Sequence, residues 1–225
     1  MIIVNGINSE IVKKILPKFL RKNNVIGIYN TSYKGIRDKN LTLFNKNKID
    51  FKRIDNLLKN DQKISFLNFA TKKDEGLIIR SKKKELNDIL KNNIVEPIEL
   101  LKKFLPYMID YKFGRIIFFS SSSVENGYPG NLGYSTSKSA FSGIMGTIAK
   151  EYKNFNITCN IISLGYFETR MWKSLPIKSK ANLLNYTLSK KLCNPLSVYE
   201  MIKIIIKYNE FNLSKIHLDG GNLLR

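Results

Sequence analysis

Two side chains with acid–base character, Tyr134 and Lys138, stand four positions apart, a spacing that puts both on one helix face. A free tyrosine has a pKa of about 10, which is too high for efficient proton exchange at neutral pH. A nearby ammonium favours the phenolate and lowers that pKa. Ser121 precedes Tyr134 by 13 positions, and its hydroxyl could orient a substrate oxygen. The three residues predict proton transfer at a carbonyl or alcohol oxygen.

The elements that must position these side chains follow from alternating apolar runs and amphipathic stretches. Residues 115–119 are typical of a strand buried on both faces of a sheet, and Ser121 lies just after them. In an open parallel sheet the ligand crevice lies at the carboxyl ends of the strands, so this serine faces a site. We predict one domain over residues 1–225, with a parallel sheet and helices on both faces. The predicted strands are residues 2–4, 25–29, 41–44, 64–67, 115–119, 157–162 and 215–218, and the predicted helices are residues 11–20, 54–58, 86–108 with an interruption near Pro97, 134–152 and 198–207.

The chain is strongly basic, with 38 Lys and Arg against 18 Asp and Glu and a net charge of +20. Such a charge can indicate a nucleic-acid partner. The lysines, however, are spread along the whole chain among many Asn and Ile residues, which share AT-rich codons with lysine. The densest basic run, residues 80–84, has none of the interleaved aromatic residues that single-strand binders use. We therefore predict a solvated basic surface and no nucleic-acid partner.

Cysteine usage and hydropathy indicate the cellular compartment of the protein. Cys159 and Cys193 have no metal-ligand spacing and leave no disulfide framework. No apolar run approaches the ~20 residues of a membrane span, and the first residues lead directly into a strand. We predict a cytoplasmic protein with no metal site, no signal peptide and no membrane partner.

The Ser121, Tyr134 and Lys138 pattern resembles the hallmark of the short-chain dehydrogenases/reductases, Tyr-x-x-x-Lys with a serine about a dozen residues earlier. The resemblance implies a Rossmann-type, doubly wound parallel α/β sheet and hydride transfer between a nicotinamide cofactor and a carbonyl or alcohol. By resemblance, Tyr134 is the general acid/base, Lys138 binds the ribose hydroxyls and tunes Tyr134, and Ser121 positions the substrate. Asn93 is similar to the family's asparagine that holds a proton-relay water.

Further segments resemble the family in the same order along the chain. Residues 68–71 (Asn-Phe-Ala-Thr) are similar to an Asn-Asn-Ala-Gly turn beside the adenine ribose. Residues 160–169 resemble a segment with a Pro-Gly pair whose threonine contacts the carboxamide, although Leu164 replaces the proline. Residues 217–221 match an Asp-Gly-Gly ending. The resemblance assigns cofactor contacts to Gly6, Asn8, Ser9, Asn30, Thr31, Asn47, Asn68, Ala70, Tyr134, Lys138, Gly165 and Thr169.

The first turn departs from the family's Gly-x-x-x-Gly-x-Gly. Only Gly6 remains, because Glu10 and Val12 stand at the other two glycine positions. The β-branched Val12 replaces the glycine that allows close helix–strand packing. Asn8 and Ser9 still offer a helix N-cap and donors for phosphate. We therefore expect a weakened cofactor site that is nevertheless retained.

Cofactor choice, substrate and assembly come from the same resemblance. No acidic residue follows the second predicted strand, where Asn30 and Thr31 stand with Lys34 and Arg37 nearby, and this favours NADP(H) over NAD(H). The nearest similarity is to 3-oxoacyl-carrier-protein reductases and to sugar or polysaccharide-pathway relatives. It implies a small-molecule or an acyl- or sugar-linked carbonyl substrate and a homotetramer or homodimer. Aromatic residues that could line an apolar substrate pocket are Tyr128, Tyr166 and Trp172.

One alternative stays open at this point. A catalytically impaired protein of the same fold, kept as a binding or regulatory module, would explain the eroded glycine loop, Leu164 and the short length. An enzyme is favoured because all four catalytic positions hold the residue types of the family, namely Ser121, Tyr134, Lys138 and Asn93. A module freed from catalysis has no reason to retain them together.

Overall fold

The computed structural model describes residues 1–59, 61–73, 76–124, 127 and 129–222. Seven parallel strands form one sheet in the order β3-β2-β1-β4-β5-β6-β7. The strands are β1 Ile2–Asn5, β2 Val25–Tyr29, β3 Leu41–Asn45, β4 Ile64–Asn68, β5 Gly114–Ser121, β6 Ile157–Leu164 and β7 Lys215–Leu218. The helices are α1 Glu10–Leu20, α2 Phe51–Leu58, α3 Lys83–Leu90, α4 Glu96–Asp110, α5 Leu132–Ser139, α6 Phe141–Glu151, α7 Arg170–Ser174, α8 Ile177–Asn185 and α9 Pro195–Lys207.

The strand order confirms the predicted doubly wound α/β fold. It reverses between β1 and β4, because the chain builds outward from β1 to β3 and then crosses over to β4. At such a switch point the loops after the two central strands diverge and leave a crevice at their carboxyl ends. The fold therefore places its binding cleft beside β1 and β4.

Two apolar clusters cover the two faces of the sheet. Successive side chains of a strand point to opposite faces, so Phe66 lies in the cluster with α4 and α6, whereas Leu67 lies in the cluster with α1 and α9. Each fully buried side chain of this size contributes about 1.5–3 kcal/mol relative to exposure. This double burial explains why β1 and the middle of β5 consist of consecutive apolar residues.

Two predicted helices are each interrupted. The helix predicted over residues 134–152 is two helices, α5 and α6, that meet at Ala140. The helix predicted over residues 86–108 contains a π-helical turn, Lys91–Val95, before α4 begins. Pro97 lies in the first turn of α4 and has no N–H to donate to the carbonyl four residues earlier, so the helix hydrogen bonding is interrupted there. The interruption predicted near Pro97 is thus confirmed.

Candidate active site

Two adjoining hollows open at the carboxyl edge of the sheet. A long cleft of about 1090 Å³ runs across the ends of β1, β2 and β4. An apolar cavity of about 360 Å³ lies beside the ends of β5 and β6. Ser9, Phe69 and Thr71 line both hollows, so an elongated ligand can pass from one into the other.

Nearly all of the site residues predicted from sequence line these two hollows. The exceptions are Asn68 and Asn93, which are fully buried just beneath them. The long cleft is lined by Gly6, Asn8, Ser9, Asn30, Thr31, Asn47 and Ala70. The apolar cavity is lined by Ser9, Ser121, Tyr134, Lys138, Gly165 and Thr169.

Tyr134 lies on α5 with its ring buried and its hydroxyl beside Ser121, the last residue of β5. The predicted lowering of the Tyr134 pKa by a nearby ammonium is wrong for this structure. Burial raises that pKa above its usual value, and a hydrogen bond with the Ser121 side chain opposes part of the rise. The phenol therefore keeps its proton at neutral pH. A buried, protonated phenol at the wall of a cavity can donate that proton to a bound oxygen.

Lys138 follows one turn later on the same helix and is buried. Its Nζ donates to the Phe119 carbonyl of β5 at 2.8 Å and lies 5.9 Å from the centre of the Tyr134 ring. Burial, and next to it the positive charge of Lys73, lower the pKa of Lys138 to about 7. Lys138 thus loses its proton close to neutral pH, and a further oxygen acceptor beside it would restore the ammonium.

Asn93 lies in the π-helical turn and connects two parts of the site. Its Oδ1 accepts the Lys72 backbone N–H at 2.7 Å, and its Nδ2 donates to the Lys72 carbonyl at 2.8 Å and to Ser137 Oγ at 2.9 Å. Asn93 therefore fixes the loop after β4 to the helix that carries Tyr134.

Asn68, at the end of β4, is held by the neighbouring strand β1. Its Oδ1 accepts the Asn5 side-chain amide at 2.8 Å. Its Nδ2 is buried and has no hydrogen-bond partner among the residues that the structure describes. Buried amide donors are normally satisfied, so this one is suited to a ligand oxygen above the turn.

Close contacts require glycine at two turns that line the hollows. Gly6 has φ +87°, and a Cβ there would lie 2.5 Å from the backbone nitrogen of Ala70. At Gly165 a Cβ would lie 2.5 Å from the Cα of Asp219. The loops after β1 and β4, and those after β6 and β7, therefore touch through their backbones.

The other two positions of the glycine turn hold side chains that the fold accommodates. Val12 is buried and packs in the cluster between α1 and the sheet. The carboxylate of Glu10 accepts the Arg170 backbone N–H and, at 2.9 Å, its Nε. Glu10 thereby connects the start of α1 to the start of α7, a contact that sequence reasoning missed because 160 positions separate the two residues.

The predicted N-cap of α1 is confirmed in position, but the expected side-chain hydrogen bond is not made. Ser9 occupies the N-cap position but makes no side-chain cap hydrogen bond. Asn8 Nδ2 instead donates to the Ser32 carbonyl after β2 at 2.7 Å. Its amide thus bridges two neighbouring loops, and the first N–H groups of α1 receive no side-chain cap from Ser9.

Two lysines of the site were missed from sequence. Lys46, after β3, lines the long cleft and pairs with Glu96 at 2.8 Å. Lys73, after β4, lines the apolar cavity with its Nζ 4.7 Å from the centre of the Tyr134 ring. Both follow a strand at its carboxyl end, and this position was the signal that could have found them.

The far wall of the apolar cavity is aromatic and aliphatic. Tyr166 and Trp172 line it, with ring centroids 5.9 Å apart, and Leu175 just after α7 and Leu183 of α8 add to it. Tyr128, also predicted to line a pocket, falls outside the described residues. Within the described ranges, no group of three or more His, Cys, Asp or Glu residues could hold a metal ion, and no helix is long and apolar enough to cross a bilayer.

Comparison with known proteins agrees with this geometry. A family model described as short chain dehydrogenase matches residues 5–180. The 3-oxoacyl-(acyl-carrier-protein) reductase FabG of Buchnera aphidicola subsp. Acyrthosiphon pisum is 30% identical over 184 residues, which cover 76% of this chain and 75% of that protein. The FabG of Buchnera aphidicola subsp. Schizaphis graminum is 26% identical over 234 residues, covering 97% of this chain and 95% of that one.

A solved structure, ElxO with NADP bound, shares the fold with a TM-score of 0.83 at 20% identity, covering 100% of this chain and 98% of that chain. The matched segment contains the glycine turn, the serine, and the tyrosine–lysine pair that line the two hollows. The chain therefore belongs to the short-chain dehydrogenase/reductase family of oxidoreductases.

Proposed function

We propose that this chain is an NADP(H)-dependent reductase that interconverts a carbonyl and an alcohol. The residues proposed to carry the reaction are Ser121, Tyr134, Lys138 and Asn93. The observation that carries the proposal is the buried Tyr134 phenol, which lies beside Ser121 at the wall of a cavity that adjoins the long cleft. This arrangement presents a proton donor to an oxygen in the apolar cavity.

The long cleft fits a dinucleotide. The open start of α1 and the unpartnered Nδ2 of Asn68 offer hydrogen-bond donors for the oxygens of a dinucleotide, and Gly6 lets the backbone turn closely beneath it. When bound, NADP(H) supplies or accepts the hydride. Residues that would hold it are Gly6, Asn8 and Ser9 at the pyrophosphate, Asn30, Thr31, Asn47, Asn68 and Ala70 at the adenosine, and Lys138, Gly165 and Thr169 toward the nicotinamide.

The protein's own part in reduction is to orient one oxygen and to give it a proton. Ser121 donates a hydrogen bond to the substrate oxygen and aligns it with the Tyr134 phenol. Burial keeps the phenol protonated by raising its pKa, so Tyr134 donates as negative charge develops on that oxygen. Lys138, on the same helix face, holds the ribose and offers positive charge to the phenolate that results.

Asn93 supports Ser121, Tyr134 and Lys138 through contacts beneath the cavity. Its side chain is occupied by Lys72 and Ser137, so a relay water would bind its backbone carbonyl. Pro97, four positions later, has no N–H to close the usual helix hydrogen bond to that carbonyl. The π-helical turn here is of the kind that helices often carry at functional sites.

Two observations support a preference for NADP(H). Asn30 and Thr31 line the cleft after β2 without a carboxylate, which an NAD-selective site uses to bind the ribose diol. ElxO, which shares the fold, is known with NADP bound. The names of the FabG relatives and the apolar far wall of the cavity support an acyl- or sugar-linked carbonyl as the substrate. We further propose that the protein assembles as a homotetramer or homodimer and that it is cytoplasmic.

Placing an acid at Thr31 should reverse part of this preference. In Thr31→Asp the new carboxylate would repel a 2′-phosphate and accept the ribose diol, so NADPH affinity should fall by about tenfold, or 1.4 kcal/mol, and NADH affinity should rise. Fluorescence titration of both reduced cofactors gives the ratio. Asn209→Asp adds the same charge at an exposed position after α9 and should leave the ratio unchanged. A wild-type protein that binds NADH more tightly than NADPH would contradict the proposed preference.

A further inference from the structure

We propose that Lys73 is a second ammonium for Tyr134, which stabilises the phenolate that forms when Tyr134 gives its proton to the substrate. The inference rests on the proposed role of Tyr134 as the acid. In that step the carbonyl carbon receives a hydride from the reduced nicotinamide, and the Tyr134 O–H bond breaks to protonate the oxygen. The product alcohol is neutral, and the negative charge stays on Tyr134.

The geometry brings Lys73 closer to the ring than Lys138. The Nζ of Lys73 is 4.7 Å from the centre of the Tyr134 ring, against 5.9 Å for Lys138. The two side chains come from different elements, since Lys73 lies in the loop after β4 and Lys138 lies on α5. A cation within about 6 Å of a ring centroid is attracted to the ring, and more strongly when the ring carries a negative charge.

The described groups that face Tyr134 favour a negative charge there. Lys138 faces it from its own helix, Lys73 from the loop after β4 and the Ser121 hydroxyl from the end of β5. Among the described residues that line the apolar cavity, Lys73 and Lys138 carry charge and no carboxylate is present.

The two lysines differ in their exposure to solvent. Lys138 is buried and donates to the Phe119 carbonyl, and burial with the charge of Lys73 lowers its pKa to about 7. Lys73 is exposed to solvent, so water solvates its ammonium. Lys73 is therefore the solvent-exposed cation beside Tyr134, and Lys138 is the buried one.

The coupling can be measured directly on the cofactor-free protein. Position 134 is labelled with a fluorinated tyrosine, whose more acidic phenol titrates within the range where the protein stays folded, and fluorine NMR follows its ionisation. We expect Lys73→Met to raise the pKa of residue 134 by about one unit, and Lys73→Arg, which keeps the charge, to restore it to within about 0.3 units of the wild-type value.

A matched control removes a lysine with the same geometry elsewhere. Lys207 Nζ lies 4.8 Å from the centre of the Tyr208 ring, so Lys207→Met deletes an equivalent pair away from the site and should leave the pKa of residue 134 unchanged. The proposal is overturned if Lys73→Met leaves that pKa unchanged, or if Lys73→Arg shifts it as much as Lys73→Met does. Because no cofactor or substrate is used, this result is independent of whether the protein proves to be a reductase.

Discussion

Tyr134→Phe should lower the rate of carbonyl reduction by about 10²–10⁴-fold and leave NADPH affinity within about twofold of wild type. The substitution removes one oxygen and keeps the buried ring, so the packing of α5 and the wall of the cavity are preserved. The substrate oxygen would lose its proton donor, while the residues of the long cleft keep their contacts. Steady-state rates with any carbonyl substrate that the wild type reduces, together with NADPH titrations, measure both quantities.

A second tyrosine supplies the control for this experiment. The Tyr111 hydroxyl donates to the Leu58 carbonyl at 3.2 Å, and Tyr111 lies just after α4, outside the linings of both hollows. Tyr111→Phe should therefore leave the rate within about twofold of wild type. If Tyr134→Phe behaved in the same way, Tyr134 would not be the acid.

Gly6→Ala should destabilise the fold by about 2–5 kcal/mol and weaken NADPH binding with it. Two costs add at this position. The backbone has φ +87°, which a residue with a Cβ adopts at a cost, and that Cβ would lie 2.5 Å from the Ala70 nitrogen. The loops after β1 and β4 would have to separate, and these loops form the floor of the long cleft. Denaturant unfolding and fluorescence titration measure the two effects.

The same substitution is harmless where the backbone is helical and space is free. Gly143 lies in α6, and a Cβ there has no neighbouring atom within 4 Å. Gly143→Ala should stabilise the protein by about 0.5–1 kcal/mol, because alanine loses less backbone entropy in a helix. Equal unfolding midpoints for the two variants would mean that the contact between Gly6 and Ala70 is not required.

The arrangement of the sheet could be predicted because β1, β4, β5 and β6 are buried on both faces and are rich in apolar residues, with unbroken apolar runs in β1 and β5. The interruptions within the helices were harder to predict from the sequence. The break at Ala140 carries no proline or glycine, and the π-helical turn at residues 91–95 is fixed by the contacts of Asn93 with Lys72 and Ser137, which come from other parts of the chain. Local periodicity does not contain such contacts.

The residues of the candidate site also fall into those that the sequence predicts and those that it does not. Residues at the carboxyl ends of predicted strands, such as Ser121, could be placed by the topology of a parallel sheet alone. The contact between Glu10 and Arg170 could not, since it joins segments far apart in sequence. Sequence comparison marks Glu10 and Val12 as losses from a glycine turn. The structure gives Glu10 a partner on α7 and Val12 a place in the core.

Titration of the purified protein with NADPH, followed by the fluorescence of the reduced nicotinamide, tests the central claim most directly. It needs no knowledge of the substrate and examines the long cleft at the point where the chain departs most from its family. We expect saturable NADPH binding in the micromolar range, with weaker binding of NADH. Failure of either cofactor to bind at millimolar concentration would contradict it, and would instead favour a binding or regulatory module built on the same fold.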